Sequence, residues 1–210
     1  MTNPHMLPAT QLTAVTDKLH GWAAFQSEWK VFFNSYALTT AAGILLIDPT
    51  KPAPEVLQAL DNLGEVTGII LTNANHDRDA GWFRKHYAAQ IYAHEKAPAD
   101  CDTTIDVLVV DGEKLPGGLT VIHLPGVTSG EMALFSQDDG GLLMIGDAIV
   151  HTAGKGLALL PEEFLDDRRM ARQSLHKLLD YNFQVATFSH GEAIAAHANQ
   201  KIAAFLRSHH

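Results

Sequence analysis

Three short stretches gather the side chains best suited to chemistry. The first, TNANHDRDAG at residues 72–81, follows the apolar run EVTGIIL and crowds Asn73, Asn75, His76, Asp77, Arg78 and Asp79 into one polar loop. The second is the Gly146-Asp147 pair after LLMI, and the third is His190-Gly191 after TFS. Polar loops directly behind buried strands are where α/β enzymes place ligands and catalytic groups. Carboxylate and imidazole together offer metal ligation or proton transfer. Each stretch also has a plain structural reading. Aspartate before a helix is a preferred cap, and this is the favoured role for Asp79. Gly-Asp and His-Gly pairs are ordinary turn chemistry.

The elements that must position these residues can be read from pattern. LTAVTDKLHGWAAF, WKVFFNSYALTT and AAGILLIDPT read as strands, with turns at Gly43 and Asp48-Pro49. PAPEVLQALDNLG reads as a helix, with prolines at its start, Val56, Leu57 and Leu60 on one face and Gly64 beyond its end. EVTGIILTN is a buried strand, DAGWFRKHYAA a helix and AQIYAHE a strand. The second half runs through a hairpin around Asp111-Gly112, the strand GGLTVIHL with its Pro-Gly loop, and a hairpin over EMALFSQDDGGLLMIGDAIV. A long helix over PEEFLDDRRMARQSLHKLLDYN, the strand QVATFSHG and a final helix over EAIAAHANQKIAAFLRS complete it. Residues 1–10 carry two prolines and read as a loose arm. No low-complexity linker divides residues 1–210, so one domain is expected. The order departs from strict βαβα alternation, which leaves periodicity at mixed α/β.

Composition narrows the function classes. The net charge is 15 − 24 = −9 with no Lys/Arg cluster, which disfavours nucleic acid as a partner. A lone cysteine, Cys101, excludes an internal disulfide framework and any CxxC metal knuckle. The N-terminus lacks a basic segment followed by an apolar run, and the apolar runs are too short to span a bilayer. The expectation is a cytoplasmic protein without membrane association, with a small-molecule ligand and protein contacts both left open as its partners. The terminal His209 and His210 are given no function.

Five segments in order, NSYALTT…GILLIDPT, GIILTNANHDRDAGWF, LTVIHLPGVTSGEMALF, GLLMIGDAIV and FSHG, resemble the metallo-β-lactamase fold superfamily over roughly residues 20–207. The resemblance implies a four-layer αβ/βα sandwich of two mixed sheets with helices on the outer faces. Members usually bind two metals, commonly zinc, through a Thr-His-x-His-x-Asp-His motif, a His in a Pro-Gly-His-Thr loop, the Asp of a Gly-Asp pair and a late His before Gly. On this sequence the two leading histidines fall on Asn73 and Asn75, and the third falls on Arg78. The loop histidine falls on Val127, while Asp77, Asp147 and His190 are kept.

By that resemblance the first metal site is lost, because Val127 has no lone pair and amides are weaker zinc donors than imidazole. Asp77, Asp147 and His190 remain as a residual site. The leading expectation is a protein without its dinuclear centre and without a metal cofactor. The alternative is a hydrolase using one divalent ion (zinc, iron or manganese) on Asp77, Asp147 and His190. An Arg78 guanidinium turned inward would repel such an ion. In this register His76 lies one position off the motif and is expected to face away from the pocket. His94, His123 and His151 are expected to be surface or hydrogen-bonded histidines, with His151 nearest the pocket mouth. Ser129 lies in no Gly-x-Ser-x-Gly elbow.

Overall fold

The computed structural model describes residues 5–97, 99, 101–152 and 154–208. Its first sheet has eight strands: β1 (Met6–Leu7), β2 (Thr13–Ala14), β3 (Leu19–Gln26), β4 (Val31–Thr40), β5 (Gly43–Ile47), β6 (Val66–Leu71), β7 (Gln90–His94) and β8 (Val107–Val109). The order is β1-β3-β4-β5-β6-β7-β8, with β2 also on β3. Strands β3 to β5 meander antiparallel, and β5 to β8 run parallel. The parallel crossovers carry α1 (Pro54–Leu63) and α2 (Ala80–Tyr87).

The second sheet contains β9 (Thr120–His123), β10 (Met132–Ser136) and β11 (Leu142–Ile145). After a small ribbon of β12 (Val150–Thr152) and β13 (Gly156–Ala158), β14 (Val185–Phe188) joins β11 in parallel, giving the order β14-β11-β10-β9. Helices α3 (Arg168–Leu175) and α4 (Ala198–Ser208) flank it.

Period-two alternation explains the layers. In β5, Ile44 and Leu46 point to one apolar cluster, and Leu45 and Ile47 to another. In β10, Met132 and Leu134 join Leu45 and Ile47, while Ala133 and Phe135 turn the other way. Three cores result. One lies under α1 and α2, with Val56, Leu60, Ala80 and Phe83. One lies between the sheets, and one under α3 and α4, with Leu175, Ile202 and Phe205. This is the four-layer α/β/β/α arrangement. Among the described residues no helix is long and apolar enough to cross a membrane.

Several local expectations are corrected. Part of the supposedly loose arm is tied down: Met6 and Leu7 pair with Gln26 and Phe25, and Ala9 O accepts from Ala53 N at 2.9 Å. The long helix expected over 161–182 shrinks to α3, because the Asp167 side chain caps Met170 N at 2.9 Å and starts the helix there. Short 3-10 turns precede and follow it. The final helix starts six residues late: Ile194 and Ala186 exchange backbone hydrogen bonds, and His197 takes a left-handed φ of 56°. Asp111-Gly112 makes no hairpin between neighbouring strands. It carries the chain from β8 in one sheet towards β9 in the other.

One surface feature stands out. Trp29, at the turn joining β3 and β4, is 68% exposed, and Phe32 beside it is also exposed. Trp29 meets Phe33 edge-on at 6.1 Å.

Candidate functional site

The site forms where the C-terminal ends of β5, β6, β11 and β14 meet. Asp48 directly follows β5, with a left-handed φ of 49°, and is buried. Its carboxylate accepts from Thr72 N at 2.8 Å and from the Thr72 hydroxyl. Beyond β6 the chain makes a single 3-10 turn over Ala74–His76, capped by Asn73 Oδ1 accepting from Asn75 N at 2.9 Å. That turn swings His76 inward, where it is 1% exposed.

His76 sits between two carboxylates, with Nδ1 at 3.0 Å from Asp48 Oδ2 and Nε2 at 3.2 Å from Asp147 Oδ2. His190 Nε2 lies 3.3 Å from Asp147 Oδ1, and its Nδ1 donates to Phe32 O at 2.8 Å. The end of β14 is itself stitched to β4: Asn34 Nδ2 donates to Phe188 O and Gly191 O, and Asn34 N to Ser189 O. Ligand atoms of His76, Asp147 and His190 all lie within 4.8 Å of one another.

The electrostatics follow from burial and these contacts. Burial and the nearby Arg78 oppose charge on His76, but Asp147 and Asp48 outweigh them and raise its pKa to about 9. Burial would lift Asp147, yet His76 and His190 hold it well below the usual carboxylate range. Glu131, at 0% exposure, goes the other way, pushed well above the usual range by burial and by the charge of Asp147. Its Oε2 accepts from Asn73 Nδ2 at 2.6 Å and its Oε1 from Ala148 N at 2.9 Å.

Two buried atoms in the cluster, His76 Nε2 and Asp147 Oδ1, have no hydrogen-bond partner among the described residues. With Nδ1 of each histidine engaged by an acceptor, each Nε2 is free to present its lone pair towards Asp147. Such an arrangement needs a proton or a cation between the groups. An imidazole held through its far nitrogen by a carboxylate or carbonyl is how metal-binding histidines are oriented. Two imidazoles and a carboxylate are a donor set that zinc, iron or manganese accepts, so these residues fit a single divalent ion.

The residues named from sequence divide. Asp147 and His190 are brought together with His76, and the expectation that His76 faces away is corrected. Asp77 is not in the cluster: its Oδ2 accepts from Asp102 N at 2.7 Å and Thr103 N at 3.0 Å. The 3-10 turn, tighter than an α turn, accounts for the exchange of facing between neighbours. Asn73 is buried against Glu131, Asn75 is exposed, and Val127, at 3% exposure, packs in the core under α3 and α4. Arg78 does not enter the cluster; its guanidinium lies 4.0 Å over the Phe33 ring, which in turn stands 5.2 Å from the His190 ring.

Asp79 does not cap α2 through its side chain, which accepts instead from Lys51 N at 2.8 Å. His151 Nδ1 bonds Glu192 O at 2.8 Å, outside the cluster, and Ser129 Oγ donates to Lys96 O. Of the two roles expected for His94 and His123, surface or hydrogen-bonded, the second holds: both are buried, His123 Nε2 donates to Ser129 O at 2.9 Å, His94 Nδ1 accepts from Lys96 N at 3.3 Å, and the rings stack with centroids 3.8 Å apart.

Sequence reasoning missed Asp48 and Glu131. Both leave a faint trace: each is a lone acid at the edge of an apolar strand, after GILLI and before MALF. Acids there are rarely fully buried without partners.

A sequence model described as the metallo-beta-lactamase superfamily matches residues 13–203. No curated protein matches the chain. Among solved structures, DIM-1 metallo-β-lactamase superposes with a TM-score of 0.77 at 13% identity, covering 97% of this chain and 99% of that one. Metallo-β-lactamase IND-7 gives 0.72 at 16% identity over 98% and 100%. A metallo-β-lactamase family protein from Thermus thermophilus gives 0.64 at 19% identity over 99% and 80%. These structural likenesses concern the fold. The family model covers most of the chain, and the chain belongs to the metallo-β-lactamase superfamily.

Proposed function

We propose that this protein is a single-metal member of its superfamily, a hydrolase whose one divalent ion is held by His76, Asp147 and His190. The observation that carries this reading is the pair of orphaned atoms, His76 Nε2 and Asp147 Oδ1, converging beside a second imidazole. Asp48 and Phe32 O fix the two rings from behind. When bound there, the ion supplies Lewis acidity towards a carbonyl or phosphoryl oxygen. The chain's own part is to hold three ligand atoms ready and to keep the Nδ1 protons pointed away.

Loss of the first metal site belongs to the same proposal. Val127 is committed to the core, Asn75 to solvent, and Asn73 to Glu131 and the turn. A small-molecule substrate fits the acidic charge better than nucleic acid.

Metal analysis after incubation with zinc, iron or manganese tests the reading. One ion per chain is expected in the wild type and in Asp77→Ala, with loss in His76→Ala, Asp147→Ala and His190→Ala. Absence of metal from the folded wild type under all three conditions would refute it. That result would support a second reading, favoured by the raised pKa of His76: a metal-free imidazolium locked between Asp48 and Asp147.

A further inference from the structure

Among the described residues the most deeply buried acid, Glu131, lies next to the cluster and contributes nothing to its ligand set. Glu131 immediately precedes β10, whose first residue, Met132, donates its N–H to Thr72 O at 2.8 Å. From there the two oxygens of Glu131 reach in different directions. One accepts from Asn73, whose own Oδ1 caps the turn that carries His76. The other accepts from Ala148 N, the residue after Asp147. The carboxyl group therefore touches both the His76 turn and the Asp147 loop.

The approach is close enough to dictate a neighbour. A Cβ placed on Gly146 would lie 2.5 Å from Glu131 Oε1 and 2.7 Å from Thr72 Oγ1. Real Cβ contacts do not come so near, so glycine before Asp147 is what lets the crossbar seat.

We propose that Glu131 is a positioning residue: it bridges the Asn73 cap and the Ala148 amide, and so sets the separation of His76 from Asp147. A buried carboxyl with donors on both oxygens is well suited to this, because each hydrogen bond is directional and neither partner can turn to water. Asn73 acquires a role here too, as the relay between Glu131 and the turn. The inference rests on the single-metal reading only where metal affinity is measured.

The test uses Glu131→Ala and Glu131→Gln in the full chain, with two readouts. The first is the imidazole nitrogen resonances of His76 in metal-free protein, assigned by NMR against His76→Ala. In Glu131→Ala these resonances shift, while those of His94 and His123 stay in place. The second is the dissociation constant for Co²⁺, which rises about 10–100-fold, as when a group supporting a metal ligand is removed. Glu131→Gln keeps the side-chain volume, mispairs one contact and falls between the two, so it decides the matter if the alanine variant does not fold. Unchanged His76 resonances and unchanged Co²⁺ affinity in a folded variant would overturn the proposal. If the wild type takes up no Co²⁺, the single-metal reading fails and the resonances alone judge the crossbar.

Discussion

A difference of one residue in the loop decides which side chains meet. Asp77 and His76 are neighbours, yet one serves the backbone at 102–103 and the other lies between Asp48 and Asp147. Asp77→Ala is therefore expected to behave as a loop mutation, costing about 0.5–1.5 kcal/mol because the freed amides at 102 and 103 can bond to water, and leaving the cluster intact. Asp48→Asn reads the opposite way. It keeps the shape but removes one of the two charges that hold His76 at a raised pKa. NMR titration should find the His76 pKa lowered in that variant; an unchanged value would mean that Asp147 suffices alone. Only part of this was legible beforehand. Asp147 and His190 could be picked out through the family resemblance, since by themselves Gly-Asp and His-Gly pairs at strand ends read as turn chemistry. His76 could not, because the facing of a residue in an irregular loop depends on a 3-10 turn that the Asn73 cap creates.

At the scale of elements, strands were easier to read than helix limits. β5 and β6 are short, almost wholly buried runs bounded by turn residues, which favours strand, while α3 and α4 are cut short by a cap and a backbone bridge that periodicity does not encode. One pair of strand ends carries its own pH response. His94, ending β7, and His123, ending β9, bring the two sheets together as a parallel stack. Burial, then His123 and Lys96, lower the His94 pKa to about 4. Burial lowers that of His123 as well. A histidine with a depressed pKa binds fewer protons folded than unfolded. Its contribution to stability is thus complete above the unfolded value near 6.5, and is lost as pH falls from there towards about 4. The thermal midpoint should drop across that window in the wild type and drop less in His94→Phe, which retains a ring for the stack. Parallel pH profiles for the two proteins would count against this assignment. Gly146→Ala belongs at the same scale, since its methyl would collide with Glu131 and Thr72 where two sheets converge. A loss of about 1–3 kcal/mol, read from denaturant melts, is expected from such overpacking.

The whole molecule is three cores with a site at one edge of the middle one. The inter-sheet core is where a large deletion should be felt most widely, because Ile70 packs there among residues of both sheets. Ile70→Ala should cost about 2–5 kcal/mol by denaturant melt, the usual range for emptying a filled site. Fold class was legible because five segments keep their order along the chain, and order constrains topology more than any single motif does. The stitching of β14 to β4 through Asn34 has a temporal consequence. Asp48 and Asn34 belong to the first half of the chain, and Asp147 and His190 to the second. The cluster can exist only after the halves dock, and closing contacts of such long sequence separation is slow. The imidazole signals of His76 and His190 would then serve as a clock for the last event in refolding, appearing after each sheet has already acquired its own strands.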